Sequence, residues 1–507
     1  MALKIIMLVA FFAVMIGVGF YCRKEAQNVD GFVLGGRKVG PWLTAFAYGT
    51  SYFSAVVFVG YAGQFGWKYG IASTWAGIGN AVIGSLLAWI ILGKRTRIMS
   101  HTLNSSTMPD FFGKRFDAKS LKIGASIITF VFLIPYTASL YNGLSRLFGM
   151  AFNIDYTICV IIMAVLTGVY VIAGGYMATA INDFIQGIVM LGGIVAVIIA
   201  VINGKGGFAS AFAQMAQVSD PSVGAEQGVF ASIFGPDPIG LLGVVILTSL
   251  GTWGLPQMVQ KFYAIKDESA IKKGTIISTI FALVVAGGCY FLGGFGRLFA
   301  DQIDIKAGGY DSIIPTMLSG LPDILIGIVV ILVLSASMST LSSLVLTSSS
   351  TITIDLVNEA KKKKMSDKSQ VLLMRVLIVV FIALSVIIAI VQYKSNVTFI
   401  AQLMGISWGA LAGAFLAPFL YSLFWKGTTK AACWVNFVFS VAFMLIDLFG
   451  NLTGAQILPV LLRSPINAGV FCMLAGFAIV PIVSAFTKKP SVGITEFAFS
   501  DIGKKNK

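Results

Sequence analysis

Charge is scarce in this chain. Asp, Glu, Lys and Arg make up 11% of its 507 residues, against about 25% in a soluble globular domain. So little charge cannot solvate the surface of several soluble domains, so the usual division of length into domains does not apply. Histidine is nearly absent: His101 stands alone in a basic loop, which removes histidine-based catalytic and metal centres. Cysteine is sparse and scattered. Cys22, Cys159, Cys289, Cys433 and Cys472 lie in or beside apolar runs with no C-x-x-C spacing, so neither a disulfide framework nor a thiolate metal site is expected. Acidic residues are outnumbered 21 to 36 by basic ones, a net charge of +15. On a soluble chain that excess would suggest nucleic acid. Here the basic residues sit in short loops between apolar runs, where membrane orientation explains them better.

Apolar residues make up 57% of the chain. A helix crosses the hydrocarbon with ~20 of them. Thirteen such runs are read at about 3–21, 41–65, 71–93, 121–149, 156–173, 181–203, 239–264, 274–298, 321–356, 372–392, 397–424, 429–449 and 467–487. The first lacks the basic lead and small-residue cleavage site of a signal peptide, and is read as a retained helix. With the N-terminus outside, the segments 22–40, 94–122, 173–180, 261–273, 357–375, 425–430 and 488–507 are cytoplasmic and hold 28 of the 36 basic residues. That split follows the positive-inside rule and puts the C-terminus in the cytoplasm of a cell membrane. The run Lys361–Lys364 is a topology anchor near anionic lipid. The outer loop 204–237 is expected to carry a short helix near Phe208–Gln217, and the tail 490–507 to be polar and flexible.

Two spans are dense in small and hydroxylated residues. The second reads Tyr48-Gly49-Thr50-Ser51-Tyr52-Phe53-Ser54-Ala55, and the seventh Thr248-Ser249-Leu250-Gly251-Thr252-Trp253-Gly254-Leu255-Pro256. Small residues also allow close helix packing. Their matched positions five spans apart favour helices broken near mid-membrane, where freed backbone groups bind ions and solute. The ninth span places Ser339, Ser342 and Ser343 on one helical face. Hydroxyls there suit a hard cation, or bond back to their own helix carbonyls. Asp183 opens the sixth span as a cation ligand or as a helix N-terminal acid. Asp355 and Asp447 are read as interfacial, and Arg146 as snorkelling outward. No Arg or Lys is read at mid-membrane, so a solute carboxylate would rest on a half-helix N-terminus.

These motifs have a family likeness. Gly174-Gly175-Tyr176-Met177-Ala178 running to Asp183 and Gln186 resembles the signature of the sodium:solute symporter family. So does Met338-Ser339-Thr340-Leu341-Ser342 followed by Ile354-Asp355-Leu356, and Gly35-Gly36-Arg37 ahead of the second span. The resemblance runs along nearly the whole chain. It implies an all-α integral membrane protein of about thirteen helices with a LeuT-like five-plus-five inverted repeat. One transporter unit would fill 1–487: an extra helix at 3–21, repeat one at about 41–203, repeat two at about 239–424 and additional helices at about 429–487, before a cytoplasmic tail at 488–507.

By the same resemblance a Na+ site lies between the second and ninth spans, formed by carbonyls of Thr50, Phe53 and Ala336 and hydroxyls of Ser339 and Thr340. Some members hold a further Na+ on an acid of the sixth span and serines of the ninth, matching Asp183, Ser339, Ser342 and Ser343 here. The solute is expected among Ser54, Val57, Tyr136, Thr248, Thr252 and Trp253. Val56-Val57 replaces the Glu-Gln pair of sugar carriers, which argues against a sugar. Tyr136 matches the substrate tyrosine of proline symporters, but their aromatic pair in the seventh span is Thr248 and Thr252 here, and Tyr52 stands where they carry an acid. Other stretches, among them Lys68-Tyr69-Gly70 and Gly254-Leu255-Pro256, resemble the pantothenate and monocarboxylate branch.

The expected partners are a small organic solute, a carboxylate or amino acid, and the lipid bilayer, with neither nucleic acid nor an obligate protein partner. The rival readings are a proton-coupled carrier in which Asp183 titrates, and a non-transporting solute sensor, which would need a signalling domain beyond 487. An enzyme would need a convergent catalytic constellation, and none is read.

Overall fold

The computed structural model describes residues 2–395 and 400–502, with backbone alone for Ala2, Tyr52, Ala307, Ser395 and Ala401. The start of the run read at 397–424 and the end of the tail lie outside the described residues. The chain is all helix, with no strand among the described residues beyond isolated bridges such as Val39 to Ile265. Among the described residues, ten helices are long and apolar enough to cross a membrane, and the bent pair Pro238–Gly254 and Pro256–Ala264 makes an eleventh.

The Asp323–Ser350 helix runs through the middle of the bundle, with every residue from Val329 to Ser350 buried. A helix apolar or hydroxylated all round belongs in such an interior. Asp367–Ser395 lies at the periphery. Its Leu372, Val376, Val379, Ile387 and Val391 are exposed at helical spacing, an apolar stripe of the kind that faces lipid tails. The Ala2–Tyr21 helix packs on Tyr156–Asn203, where Asn182 Nδ2 donates to the Met15 carbonyl at 3.2 Å.

The breaks fall where the small residues cluster. Pro41–Tyr52 ends at Phe53, which is extended (φ −103°, ψ 129°), and the chain resumes as a π-helical turn, Val56–Tyr61. In the seventh span Leu255 is extended (φ −86°, ψ 122°) and the helix axis bends by 48°. The long Tyr156–Asn203 helix is interrupted at Gly175 (φ 57°, ψ −149°), a conformation that L residues with a Cβ almost never adopt. A Cβ there would also meet the Phe32 carbonyl at 2.9 Å. The Gly-Gly-Tyr-Met motif is therefore a break within this long helix.

Two loop expectations meet different outcomes. The loop 204–237 carries its short helix at Phe208–Gln217. The tail is ordered where flexibility was expected: Val492–Phe499 is helical, Phe499 stacks under the Arg115 guanidinium at 5.0 Å, and Asp501 accepts from Thr102 at 2.8 Å. The residues ahead of it are polar, but Thr495 and Ala498 are buried, so the helix lays one side on the bundle while Phe497 stays exposed.

Candidate functional site

A helix that stops leaves its last carbonyls without an i+4 donor. At the break after Tyr52 the Thr50 carbonyl keeps only a 3.3 Å bond from the Phe53 N–H. The uninterrupted Asp323–Ser350 helix passes alongside. Ser339 Oγ donates at 3.1 Å to the Thr50 carbonyl and lies 3.0 Å from the Ala336 carbonyl. Thr340 Oγ1 lies 3.3 Å from the Phe53 carbonyl and 3.1 Å from that of Ala336. The five expected ligand groups thus converge, and all five residues are at most 1% exposed. The Thr50 hydroxyl is turned away onto the Phe46 carbonyl at 2.8 Å, leaving the carbonyl to face Ser339. Gly187 lets Tyr156–Asn203 close on this break, since a Cβ there would meet the Phe46 ring at 2.3 Å. Five oxygens and no sulfur or nitrogen form a hard donor set, suited to a small hard cation.

The other serines behave differently. Ser342 Oγ bonds the Ser339 carbonyl of its own helix at 2.9 Å, the back-bonding arrangement. Ser343 Oγ is held between Ser51 Oγ at 3.0 Å and the ammonium of Lys261 at 2.9 Å. Asp183 is fully buried, and its Oδ2 lies 3.9 Å from the same ammonium. Lys261 is the residue that sequence reasoning missed. It was assigned to a cytoplasmic loop, whereas it is 2% exposed on the second half of the bent span. Its reading as a loop residue is corrected: the side chain is buried in the bundle. Apolar spacing marks where a span runs, and a long side chain near its end can turn inward as easily as outward.

Arg146 and Asp355 also find specific partners. Arg146 Nε is 3.7 Å from Asp311. Asp355 is fully buried, accepts from Thr107 Oγ1 at 2.6 Å and lies 3.5 Å from Lys122, which also pairs with Asp110 at 2.9 Å.

Of the residues expected around solute, Tyr136 and Ser54 are fully buried, and their hydroxyls find no hydrogen-bond partner among the described residues. The Tyr136 ring stands edge-on to Trp408, 5.9 Å between centroids, and Trp408 sits against Gly251 at the seventh-span break. Buried hydroxyls are nearly always bonded, so unmatched ones beside two breaks mark a place for a polar ligand. Thr248 and Thr252 bond the Val244 and Ser249 carbonyls of their own helix at 2.9 and 2.8 Å. Trp253 Nε1 is tied to the Ile83 carbonyl at 3.0 Å, and Val57 is buried in the π turn. Trp408 was not foreseen. Its only local signal is the small-residue setting Gly405-Ile406-Ser407-Trp408-Gly409.

A many-helix membrane bundle with two broken spans meeting around a polar interior is the architecture of a secondary carrier. The family model of the sodium:solute symporter family matches residues 32–438, and the chain belongs to that family. It is 29% identical over 495 residues to the osmoregulated proline transporter OpuE of Bacillus subtilis (strain 168), covering 96% of this chain and 95% of the relative. It is also 29% identical over 513 residues to a sodium/proline symporter of Staphylococcus aureus (strain JH9), covering 98% and 95%. The fold is similar to that of a Na+-coupled sialic acid symporter, with a TM-score of 0.77 at 17% identity over 96% of this chain and 98% of that one. The chain is thus a membrane transporter of a sodium-coupled symporter family, and not an enzyme.

Proposed function

We propose that the chain imports a small zwitterionic amino acid, of the proline type, together with sodium bound between the second and ninth spans. The observation that carries the sodium reading is the meeting of the Thr50, Phe53 and Ala336 carbonyls with the Ser339 and Thr340 hydroxyls. The naming of relatives as proline transporters, together with the unmatched Tyr136 and Ser54 hydroxyls, supports an amino acid over the wider carboxylate class. Pantothenate and monocarboxylates remain the alternatives within that class.

Sodium at this site joins the end of the Pro41–Tyr52 helix to the central helix and so orders the break beside Tyr136. Solute binding next to it then favours sodium binding by the same factor, typically worth ~1–3 kcal/mol. The membrane potential adds about 2.3 kcal/mol per charge per 100 mV. The thirteen-span reading is supported by splitting the eleven apolar segments at two positive-φ glycines, Gly70 and Gly175. Thirteen crossings with the N-terminus outside, arranged as inverted five-helix repeats within 1–487, also carry the basic loops to the cytoplasm.

Tryptophan fluorescence of the purified chain tests the reading, with proline, other amino acids, pantothenate and monocarboxylates each added in Na+ and in K+. The expected result is a proline response seen only in Na+ and lost when Ser339→Ala and Thr340→Val are combined. An equal response in K+ refutes the sodium reading, and a response to a monocarboxylate alone refutes the solute.

A further inference from the structure

The family likeness raised a second sodium, on Asp183 and the serines of the ninth span, and the residues there do not fit one. We propose that the Lys261 ammonium is itself the resident cation of the Asp183–Ser343 pocket, so that this pocket takes no second sodium and the carrier couples one sodium to each solute. The inference rests on the sodium reading above for its count, though not for the occupant of this pocket.

The ammonium has what a bound cation needs. It donates to Ser343 Oγ at 2.9 Å, stands 3.9 Å from the Asp183 carboxylate, and lies 5.2 Å from the centre of the Tyr176 ring, whose face attracts positive charge. The Lys261 and Asp183 side chains are 3% and 1% exposed, so water screens neither. Neither Asp183 oxygen has a hydrogen-bond partner among the described residues. Its charge is met by the ammonium across a gap too long for a hydrogen bond, and a buried carboxylate needs such a counter-charge. One lysine against one aspartate leaves the pocket neutral. A sodium ion added there would face an ammonium at close range in a medium of low dielectric. It would also have to take Ser343 from the lysine and Ser342 from the Ser339 carbonyl.

The lysine is also firmly placed. One residue earlier, Gln260 accepts from Thr347 Oγ1 at 2.7 Å and donates to the Val33 carbonyl at 3.1 Å. The short Pro256–Ala264 helix is therefore docked on the central helix at two neighbouring points. A cation fixed to the chain in this way joins three segments, Tyr156–Asn203 through Asp183, the central helix through Ser343, and its own, and Ser343 in turn bonds Ser51 of Pro41–Tyr52. It draws nothing from the sodium gradient. The Ser339–Thr340 site differs, because no basic side chain bonds its oxygens among the described residues.

The test counts radiolabelled sodium bound per purified, solute-free chain at saturation, with size-exclusion elution as the check on folding. Lys261→Met keeps the length and removes the charge. It is expected to bind one sodium more than the wild type, because Asp183 then lacks a counter-ion. Lys261→Arg is expected to gain none, and Lys261→Met with Asp183→Asn returns to the wild-type count. A folded Lys261→Met chain with an unchanged count overturns the proposal. Asp183→Asn alone supplies the second arm should Lys261→Met not fold. An unchanged count there supports the proposal, and the loss of one sodium overturns it. A wild-type chain that binds no sodium refutes the second-to-ninth-span site instead, since the gain on Lys261→Met is read against whatever the wild type holds.

Discussion

Removing the Ser339 hydroxyl separates a cation site from ordinary helix packing. Ser339→Ala deletes one of five converging oxygens and leaves the helix intact, because alanine is the better helix former. Without sodium the loss is small. The Ser339 hydroxyl bonds two carbonyls at 3.1 and 3.0 Å, and the Thr50 carbonyl keeps its bond from Phe53. One net hydrogen bond is worth about 1 kcal/mol. With sodium present the same oxygen faces a full charge, and bonds to charged groups are worth about 1.5–3 kcal/mol. At about 1.4 kcal/mol per tenfold, sodium affinity should fall roughly 10- to 150-fold. Half-saturation of sodium binding to the purified chain measures it, and sodium-driven uptake in proteoliposomes repeats it with solute present. Ser342→Ala is the internal control, since that hydroxyl bonds the Ser339 carbonyl of its own helix and is not one of the five converging oxygens. Equal half-saturation values for Ser339→Ala and wild type would refute the site, and so would an equal loss in both serine variants.

Four further outcomes are expected. Tyr136→Phe removes a hydroxyl that has no partner among the described residues; it should weaken solute binding about fivefold, the value of one net bond of about 1 kcal/mol, without moving sodium half-saturation measured in the absence of solute. Gly175→Ala places a Cβ at φ 57°, ψ −149° against the Phe32 carbonyl; the strain of ~1–3 kcal/mol should lower the melting temperature in detergent. Lys122→Met leaves the buried Asp355 and Asp110 carboxylates without their shared cation; breaking a buried pair costs about 3–5 kcal/mol, so yield and melting temperature should both fall, more than for any exposed lysine. Asp267 caps Glu268–Gly293, and the Ala270 N–H, followed by the Ser269 hydroxyl, holds its carboxyl below the usual range. Asp267→Ala should therefore cost about 1 kcal/mol at neutral pH. The cap's contribution is present above the ordinary carboxylate value of about 3.9 and fades as pH falls through the lowered value. Melting curves of wild type and variant should converge in acid, and a difference that persists there would refute the role of the charge.

The crossings and their breaks were legible in the sequence because their causes are local. A run of some twenty apolar residues is its own reason to span a membrane. Tyr48–Ala55 and Thr248–Pro256 announced their breaks through glycine, proline and hydroxyl residues, and the chain unwinds at Phe53 and Leu255 within those stretches. The hydroxyl face of the ninth span was equally plain from its spacing. What remained hidden was which groups meet across the bundle. Ser339 and Thr50 are 289 residues apart, and their 3.1 Å approach follows from how a terminated helix lies on an unbroken one. Trp408 comes to Tyr136 from a helix distant along the chain.

Lys261 shows the limit most clearly. Its position near the end of an apolar span reads the same whether the side chain points to the cytoplasm or into the interior. Hydropathy is a property of a segment, whereas the direction of one flexible side chain depends on the charge waiting for it. Here that charge is Asp183, which another helix places at 3.9 Å, and the hydroxyl of Ser343 at 2.9 Å completes the pocket. The sequence by itself determined a membrane carrier of this family, with its breaks and its hydroxyl face. Only the tertiary structure decided which cation the buried aspartate keeps, because that balance is struck between residues distant along the chain in an interior where water cannot screen them.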